Sequence, residues 1–287
     1  MLRLILLLVC LAAPAFAERQ EVQLGDRSYL IDLPDRPAGA PVILALHGGG
    51  GNPAQFARNS RLAQPALAEG YAVIWPAGTA RFGRFLTWNA GYCCGYAAES
   101  GVDDAAFLDT VLADAGQRFG LDVTRTYLTG MSNGAIMAAS YAAQRPGKIR
   151  AVATVSGTMD ASLRVRGPVP LLAIHGTADT QVPYAGGRGA NSLAQTDFSP
   201  VEAMIAAFRR PLRGQISEDA QLIDPEADGT SVMQTDWTDG KGRVLIRLLK
   251  VEGGGHTWPG GRRSARQGGT ADIVANAEIL HFFSLHP

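Results

Sequence analysis

The sequence is short of charge, of cysteine and of long apolar runs, and each shortage removes a class of function. Charged residues make up 18% of the 287, split evenly into 26 basic and 26 acidic. That balance leaves no basic footprint for nucleic acid and no acidic tail for a cationic partner. Cysteine occurs only three times. No HExxH stretch and no zinc-type cysteine spacing is present, so neither a metal nor another cofactor is expected. No apolar run reaches the roughly 20 residues that a membrane-spanning helix needs. Internal repeats and low-complexity linkers are missing as well. What remains is a chain with 46% hydrophobic residues, ample for a sizeable core.

The first residues, "MLRLILLLVCLAAPAFA", form the one early apolar stretch. Arg3 supplies a positive start, Leu4 to Ala13 an apolar centre, and Ala15-Phe16-Ala17 a small-x-small cleavage site. Residues 1–17 thus read as a secretory signal peptide cut before Glu18, with residues 18–287 as one mature domain, extracellular or periplasmic and with no membrane part. A lipid-modified Cys10 is disfavoured because Val9 before it is bulkier than such sites accept. Export leaves Cys93 and Cys94, adjacent in sequence, in an oxidising compartment. Two states stay open for them: a vicinal disulfide that stiffens a loop, or a pair of free buried thiols.

Apolar runs alternate with helix-like stretches along the rest of the chain. "EVQLGDRSYLIDLP" reads as a hairpin turning at Gly25-Asp26. "PVILALH", "YAVIWP", "RTYLTG", "IRAVATVSG", "VPLLAIHG" and "RVLIRLLKVEG" read as strands, several of them continuously apolar and so buried on both faces. Between them lie helical stretches at 53–70 (interrupted by Pro65), 103–120, 133–147, 199–208 and 271–283. Such alternation means an α/β fold with a mostly parallel sheet and helices on both faces. Reactive groups in these sheets gather at the carboxyl ends of the strands.

"GMSNGA" follows one of those strands and opens an alanine-rich helix. G-x-S-x-G is weak by itself, but a strand before it and a helix after it are the context of a nucleophile elbow. Ser132 is therefore the candidate nucleophile. Gly130 and Gly134 supply the small residues that so tight a turn requires, and the Asn133 N–H points where an oxyanion would form. A serine needs a base, and His256, in "VEGGGHTWPGG", is the candidate. His47 and His175 end strands and read as core histidines, His281 and His286 as packing or solvent residues. The acid should come between serine and histidine in the chain. Asp179 in "IHGTADTQVPY" fits, with Asp160 as runner-up; Asp103 and Asp104 precede the serine and read as helix caps or loop anchors. "LHGGGGN" lacks the lysine of a phosphate-binding loop, and its Gly49 is the candidate for the second oxyanion N–H.

"LHGGGGN", "WNAGYCCG", "GVDDAAFLDTVL", "YLTGMSNGAIMA", "IHGTADTQVPYAGG" and "GGGHTWPGG" together resemble the secreted esterase family related to polyhydroxybutyrate depolymerases and feruloyl esterases. The likeness runs from about Pro41 to Phe283. It implies the α/β-hydrolase fold, with nucleophile, acid and base on Ser132, Asp179 and His256. Depolymerases look more like H-G-C where this chain has only glycine, and they usually carry a linker and a polymer-binding domain. The resemblance is therefore closer to the compact feruloyl-esterase-like branch. Trp88, Tyr92 and Trp258 flank the motif loops and are expected to form an aromatic wall for the substrate. The stretch "AGGRGANSLAQTDFS" is placed to overhang the site as a lid.

The expected function is hydrolysis of carboxylic esters through an acyl-enzyme, the partner being a small or polymeric ester: feruloyl or polysaccharide acyl esters, or hydroxyalkanoate oligoesters. A serine peptidase on the same fold is the alternative, since one triad cleaves both bonds. A non-catalytic carbohydrate- or polymer-binding protein on this scaffold is the reading from another class.

Overall fold

A computed structural model of the chain describes residues 19–287; the expected signal peptide lies outside them. The chain opens with the hairpin read from the sequence, β1 (Gln20–Leu24) and β2 (Arg27–Asp32). It then lays down β3 (Pro41–Leu46), β4 (Ala72–Pro76), β5 (Asp122–Met131), β6 (Ala151–Val155) and β7 (Leu171–Gly176). Three further strands follow: β8 (Ile216–Ile223), β9 (Ser231–Asp239) and β10 (Val244–Glu252). All belong to one ten-stranded sheet in the order β1-β2-β4-β3-β5-β6-β7-β10-β9-β8. The pairs from β4 through β3, β5, β6 and β7 to β10 are parallel, and antiparallel strands close both edges.

Strand alternation sorts the core into two halves. Val42, Leu44 and Leu46 of β3 join a cluster on one face, while Ile43 and Ala45 join the cluster on the other. The first face is covered by α4 (Asp104–Phe119), α5 (Asn133–Gln144) and α6 (Val201–Arg209), through Leu108, Val111, Ile136 and Met204. The second is covered by α1 (Pro53–Ser60), α2 (Ala63–Ala68) and α7 (Ala275–Ser284), through Phe56, Leu62 at the start of α2, Ile279 and Phe282. Each such side chain, fully buried, contributes about 1.5–3 kcal/mol.

One sequence reading is corrected here, three elements are added, and one open alternative is resolved. The helical stretch expected over 53–70 breaks at Arg61, which caps α1 in the left-handed region (φ 58°), and not at Pro65. Pro65 sits in the first turn of α2, where its missing N–H leaves no hydrogen bond unmade. The outer strands β8 and β9 were not anticipated, nor was the short α3 (Gly95–Glu99). Most of β8 is solvent-exposed and polar, so it carries none of the apolar signal that marks the inner strands. Cys93 and Cys94, whose state the sequence left open, form a disulfide across a cis peptide bond.

Candidate active site

The parallel strands deliver the chemistry-bearing residues to one edge of the sheet. β5 runs directly into Ser132 and then into α5, so Ser132 is the residue at the turn. Its backbone is held at φ 56°, ψ −126°, a region that costs a non-glycine residue of order 1–3 kcal/mol. The flanking glycines explain how the turn is accommodated. A Cβ on Gly134 would lie 2.2 Å from the Leu46 carbonyl oxygen, and one on Gly130 would lie 2.5 Å from the Gly134 backbone. Neither position admits a side chain.

The loop after β3 lies over this turn. Space for a Cβ at Gly48 ends 3.4 Å from Ser132 Cβ, and at Gly49 3.5 Å from Asn133 Cβ. The N–H groups of Gly49 and Asn133 have no acceptor among the described residues. Asn133 is the first residue of α5, where backbone N–H groups are left over by the helix and carry its positive partial charge.

Asp179 follows β7 and is buried, its side chain closed to solvent. Its Oδ1 accepts the backbone N–H groups of Gln181 and Val182 at 2.8 and 2.9 Å. Its Oδ2 accepts His256 Nδ1–H at 2.7 Å. Burial pushes the carboxyl pKa up, but hydrogen bonds from His175 and His256 outweigh it, holding the group well below the usual carboxylate range. Asp179 is thus a buried carboxylate whose charge is held by its neighbours. With Nδ1–H committed to Asp179, neutral His256 keeps a free lone pair on Nε2. Ser132 and His256 line the same cleft, of about 250 Å³.

Two further residues join this cluster: His175, buried as its reading as a core histidine expects, and Ser156, which the sequence does not single out. His175 is buried; its Nε2–H donates to the Val182 carbonyl at 2.8 Å and lies 3.4 Å from Asp179 Oδ2. It therefore braces both the carboxylate and the segment that wraps it. Ser156, at the end of β6, donates to the Thr257 carbonyl at 2.9 Å and accepts the Thr257 N–H at 3.2 Å. That pair of bonds fixes the loop residue next to His256. A strand-end His four residues before the candidate acid was the available signal for His175; Ser156 carried none.

His47 matches its reading as a core histidine. It accepts the Gly78 N–H at Nε2 (3.0 Å) and donates Nδ1–H to the Gly48 carbonyl (2.9 Å), and burial lowers its pKa to about 4. Asp160 is spent on a surface turn, accepting from the Ser162 N–H and hydroxyl. Asp103 caps α4, and Asp104 is buried against Arg27 and the Asn89 N–H.

The expected aromatic wall divides. Trp88 is fully buried and lines neither of the two clefts that reach Ser132, which corrects its assignment to substrate contact. Its indole N–H donates to the His47 carbonyl at 2.9 Å, and its backbone N–H and C=O bond the Asn133 side chain at 2.7 and 3.0 Å. It ties the glycine loop to the start of α5 from behind. Trp258 stays in the 250 Å³ cleft, edge-on to Phe56. Tyr92 lines a second, larger cleft of about 970 Å³, with its hydroxyl on the Thr158 carbonyl at 3.2 Å. Ser192 to Thr196, from the stretch expected to overhang the site, also line that larger cleft. The two clefts meet at Gly49, Gly50, Ser132 and Gln181.

Comparison with known proteins bears on the fold and the family. The family model described as "Esterase PHB depolymerase" matches residues 27–166. "Putative esterase NocK" of Nocardia uniformis subsp. tsuyamanensis is 30% identical over 88% of this chain and 76% of its own. "Probable feruloyl esterase C" of Aspergillus clavatus is 30% identical over 58% of this chain, which spans only 60% of that relative. In fold, an acetyl xylan esterase from Aspergillus awamori superposes over 93% of this chain and 99% of its own, with a TM-score of 0.62 at 16% identity. The chain has the α/β-hydrolase fold and is a carboxylic ester hydrolase; it belongs to the esterase family of that Nocardia relative, and its residues 27–166 match the polyhydroxybutyrate-depolymerase esterase model.

Proposed function

We propose that the chain is a secreted serine esterase that works through an acyl-enzyme on Ser132. The observation that carries this reading is the 2.7 Å bond between His256 Nδ1 and a walled-off Asp179, beside a serine at a strained strand–helix turn. Ser132 Oγ attacks the ester carbonyl carbon while its proton passes to His256 Nε2. The carbonyl oxygen becomes an oxyanion held by the N–H groups of Asn133 and Gly49. The tetrahedral intermediate collapses, the bond to the alcohol oxygen breaks, and His256 returns its proton to that oxygen. Water then attacks the acyl-serine by the same route, and the acid leaves.

Asp179 keeps His256 in the tautomer that can accept the serine proton and stabilises the imidazolium once formed. Losing one oxyanion donor costs about 2.7–4 kcal/mol of transition-state stabilisation, so the Trp88–Asn133 clamp matters to rate without touching substrate. The likeness to a protein named feruloyl esterase C supports aryl-acid esters, and the family description supports hydroxyalkanoate oligoesters. Secretion rests on the sequence of residues 1–17 alone.

The test is hydrolysis of methyl ferulate beside a 3-hydroxybutyrate oligomer, with Ser132→Ala as control and a chelator added in parallel. Turnover of either ester, lost in the variant and indifferent to the chelator, is expected. Chelator inhibition reversed by added metal would sink the mechanism.

A further inference from the structure

We infer that the alcohol half of the substrate carries a carboxylate, recognised by a group of arginines at the mouth of the smaller cleft. The inference rests on the serine-esterase reading above. An ester bound at Ser132 must send its two halves into different clefts, since the two meet at that residue. His256 decides which half goes where. It must protonate the departing alcohol oxygen, and it lines the smaller cleft but not the larger. The alcohol therefore leaves through the smaller cleft, and the acyl group lies in the larger.

The chemistry of the walls fits that division. The larger cleft presents Phe82, Phe85 and Leu193, which are 81%, 74% and 90% exposed and need an apolar partner. Arg81, Arg84 and Glu99 line it as well, so that cations and an anion occur there together. The smaller cleft presents Asn52, Gln55, Asn59, Arg263 and Gln267, and no acidic side chain lines it. Arg263 does not stand alone. The Arg262 N–H donates to the Asn59 carbonyl at 2.9 Å, which docks the segment bearing Arg262, Arg263 and Arg266 on the end of α1, where Arg58 and Arg61 lie. All five arginines are exposed, and none forms an ion pair among the described residues. In a chain with 26 basic and 26 acidic residues, this is a strong local excess. Unpaired guanidinium groups beside a polar cleft match a carboxylate.

Two kinds of alcohol have this chemistry, a hydroxy acid and a uronate sugar. Four butyryl esters separate them: of 3-hydroxybutyrate, of its methyl ester, of methyl galacturonoside and of methyl galactoside. At about 10 mM salt, where charges act over roughly 30 Å, kcat/KM for the anionic member of one pair or both should exceed the neutral member about tenfold. The pair that shows it names the source. The ratio should fall toward one at about 0.15 M salt, where the range shrinks to about 8 Å, and in the combined variant Arg262→Gln, Arg263→Gln, Arg266→Gln. Equal kcat/KM within both pairs would overturn the inference. So would an equal preference when the carboxylate is moved to the acyl half, as in a hemisuccinate ester, because that is bulk attraction. Neutral esters split in a Ser132-dependent way would leave the esterase reading standing in either case. No hydrolysis of any of the four would take both down.

Discussion

At the scale of single residues the site is organised around Asp179. Both carboxylate oxygens are occupied, Oδ1 by two backbone N–H groups and Oδ2 by His256, with His175 nearby. Asp179→Asn keeps the shape but presents the wrong hydrogen-bonding pattern to His256 Nδ1, and kcat should fall about 10⁴-fold. Folding measured by circular dichroism should be unaffected; kcat within tenfold of the parent would argue against Asp179 as the orienting acid. His175→Ala removes both the bond to the Val182 carbonyl and the Nε2–H approach to the Asp179 carboxylate at 3.4 Å. A lost hydrogen bond to a charged group costs about 1.5–3 kcal/mol, so kcat should drop roughly 10- to 100-fold while KM stays within about twofold. Rates normalised to fluorophosphonate-titratable sites separate this from misfolding. An unchanged kcat per titrated site would make His175 a packing residue only.

At the scale of elements, the site exists because five parallel strands end at one edge. β3 leads to the glycine loop, β5 to Ser132, β6 to Ser156, β7 to Asp179 and β10 to the His256 loop. Those strands were legible because burial on both faces forces continuous apolar runs such as "PVILAL" and "AVATV". β8 was not legible, because an exposed edge strand made of "ISEDAQLI" needs no such run. The order serine, acid, histidine was readable too, since each candidate followed a recognisable strand. The role of Trp88 was not. An indole beside the motif loops reads the same whether it faces substrate or, as here, bonds the His47 carbonyl from within the core. Ser156 shows what one strand end can do for another loop. Ser156→Ala unties Thr257 from β6, and a roughly tenfold loss in kcat is expected from one neutral hydrogen-bond pair worth about 1–1.5 kcal/mol. A rise in KM with kcat unchanged would instead mean that the loop shapes the cleft without positioning His256.

At the scale of the whole molecule, three groups, His47, His286 and Asp179, make stability depend on pH in the same direction. His47 is held neutral, with a pKa of about 4 in the fold against an ordinary 6.5. Between those values the unfolded chain binds the extra proton and the folded one does not, so stability falls as pH falls from 6.5 toward 4. The loss is on the order of 3 kcal/mol. Asp179, whose carboxyl pKa is depressed in the fold, adds a further loss only below the ordinary carboxylate range. His286, whose pKa burial also lowers to about 4, adds to the same limb as His47. Urea unfolding of the parent should therefore weaken across pH 6.5 to 4; His47→Gln, which cannot titrate, should make that limb shallower, and His47→Gln with His286→Gln should flatten it. A parent whose stability is level over this range would show that His47 takes up its proton without unfolding.

The central claim is that Ser132 is the nucleophile, and covalent labelling tests it most directly. The protein is incubated with a fluorophosphonate, activity on methyl ferulate is followed, and the modified peptide is found by mass spectrometry. The account expects one adduct, on the peptide carrying Ser132, formed in step with the loss of activity and absent from Ser132→Ala. An adduct on another residue, or a Ser132→Ala variant as active as the parent, would contradict it.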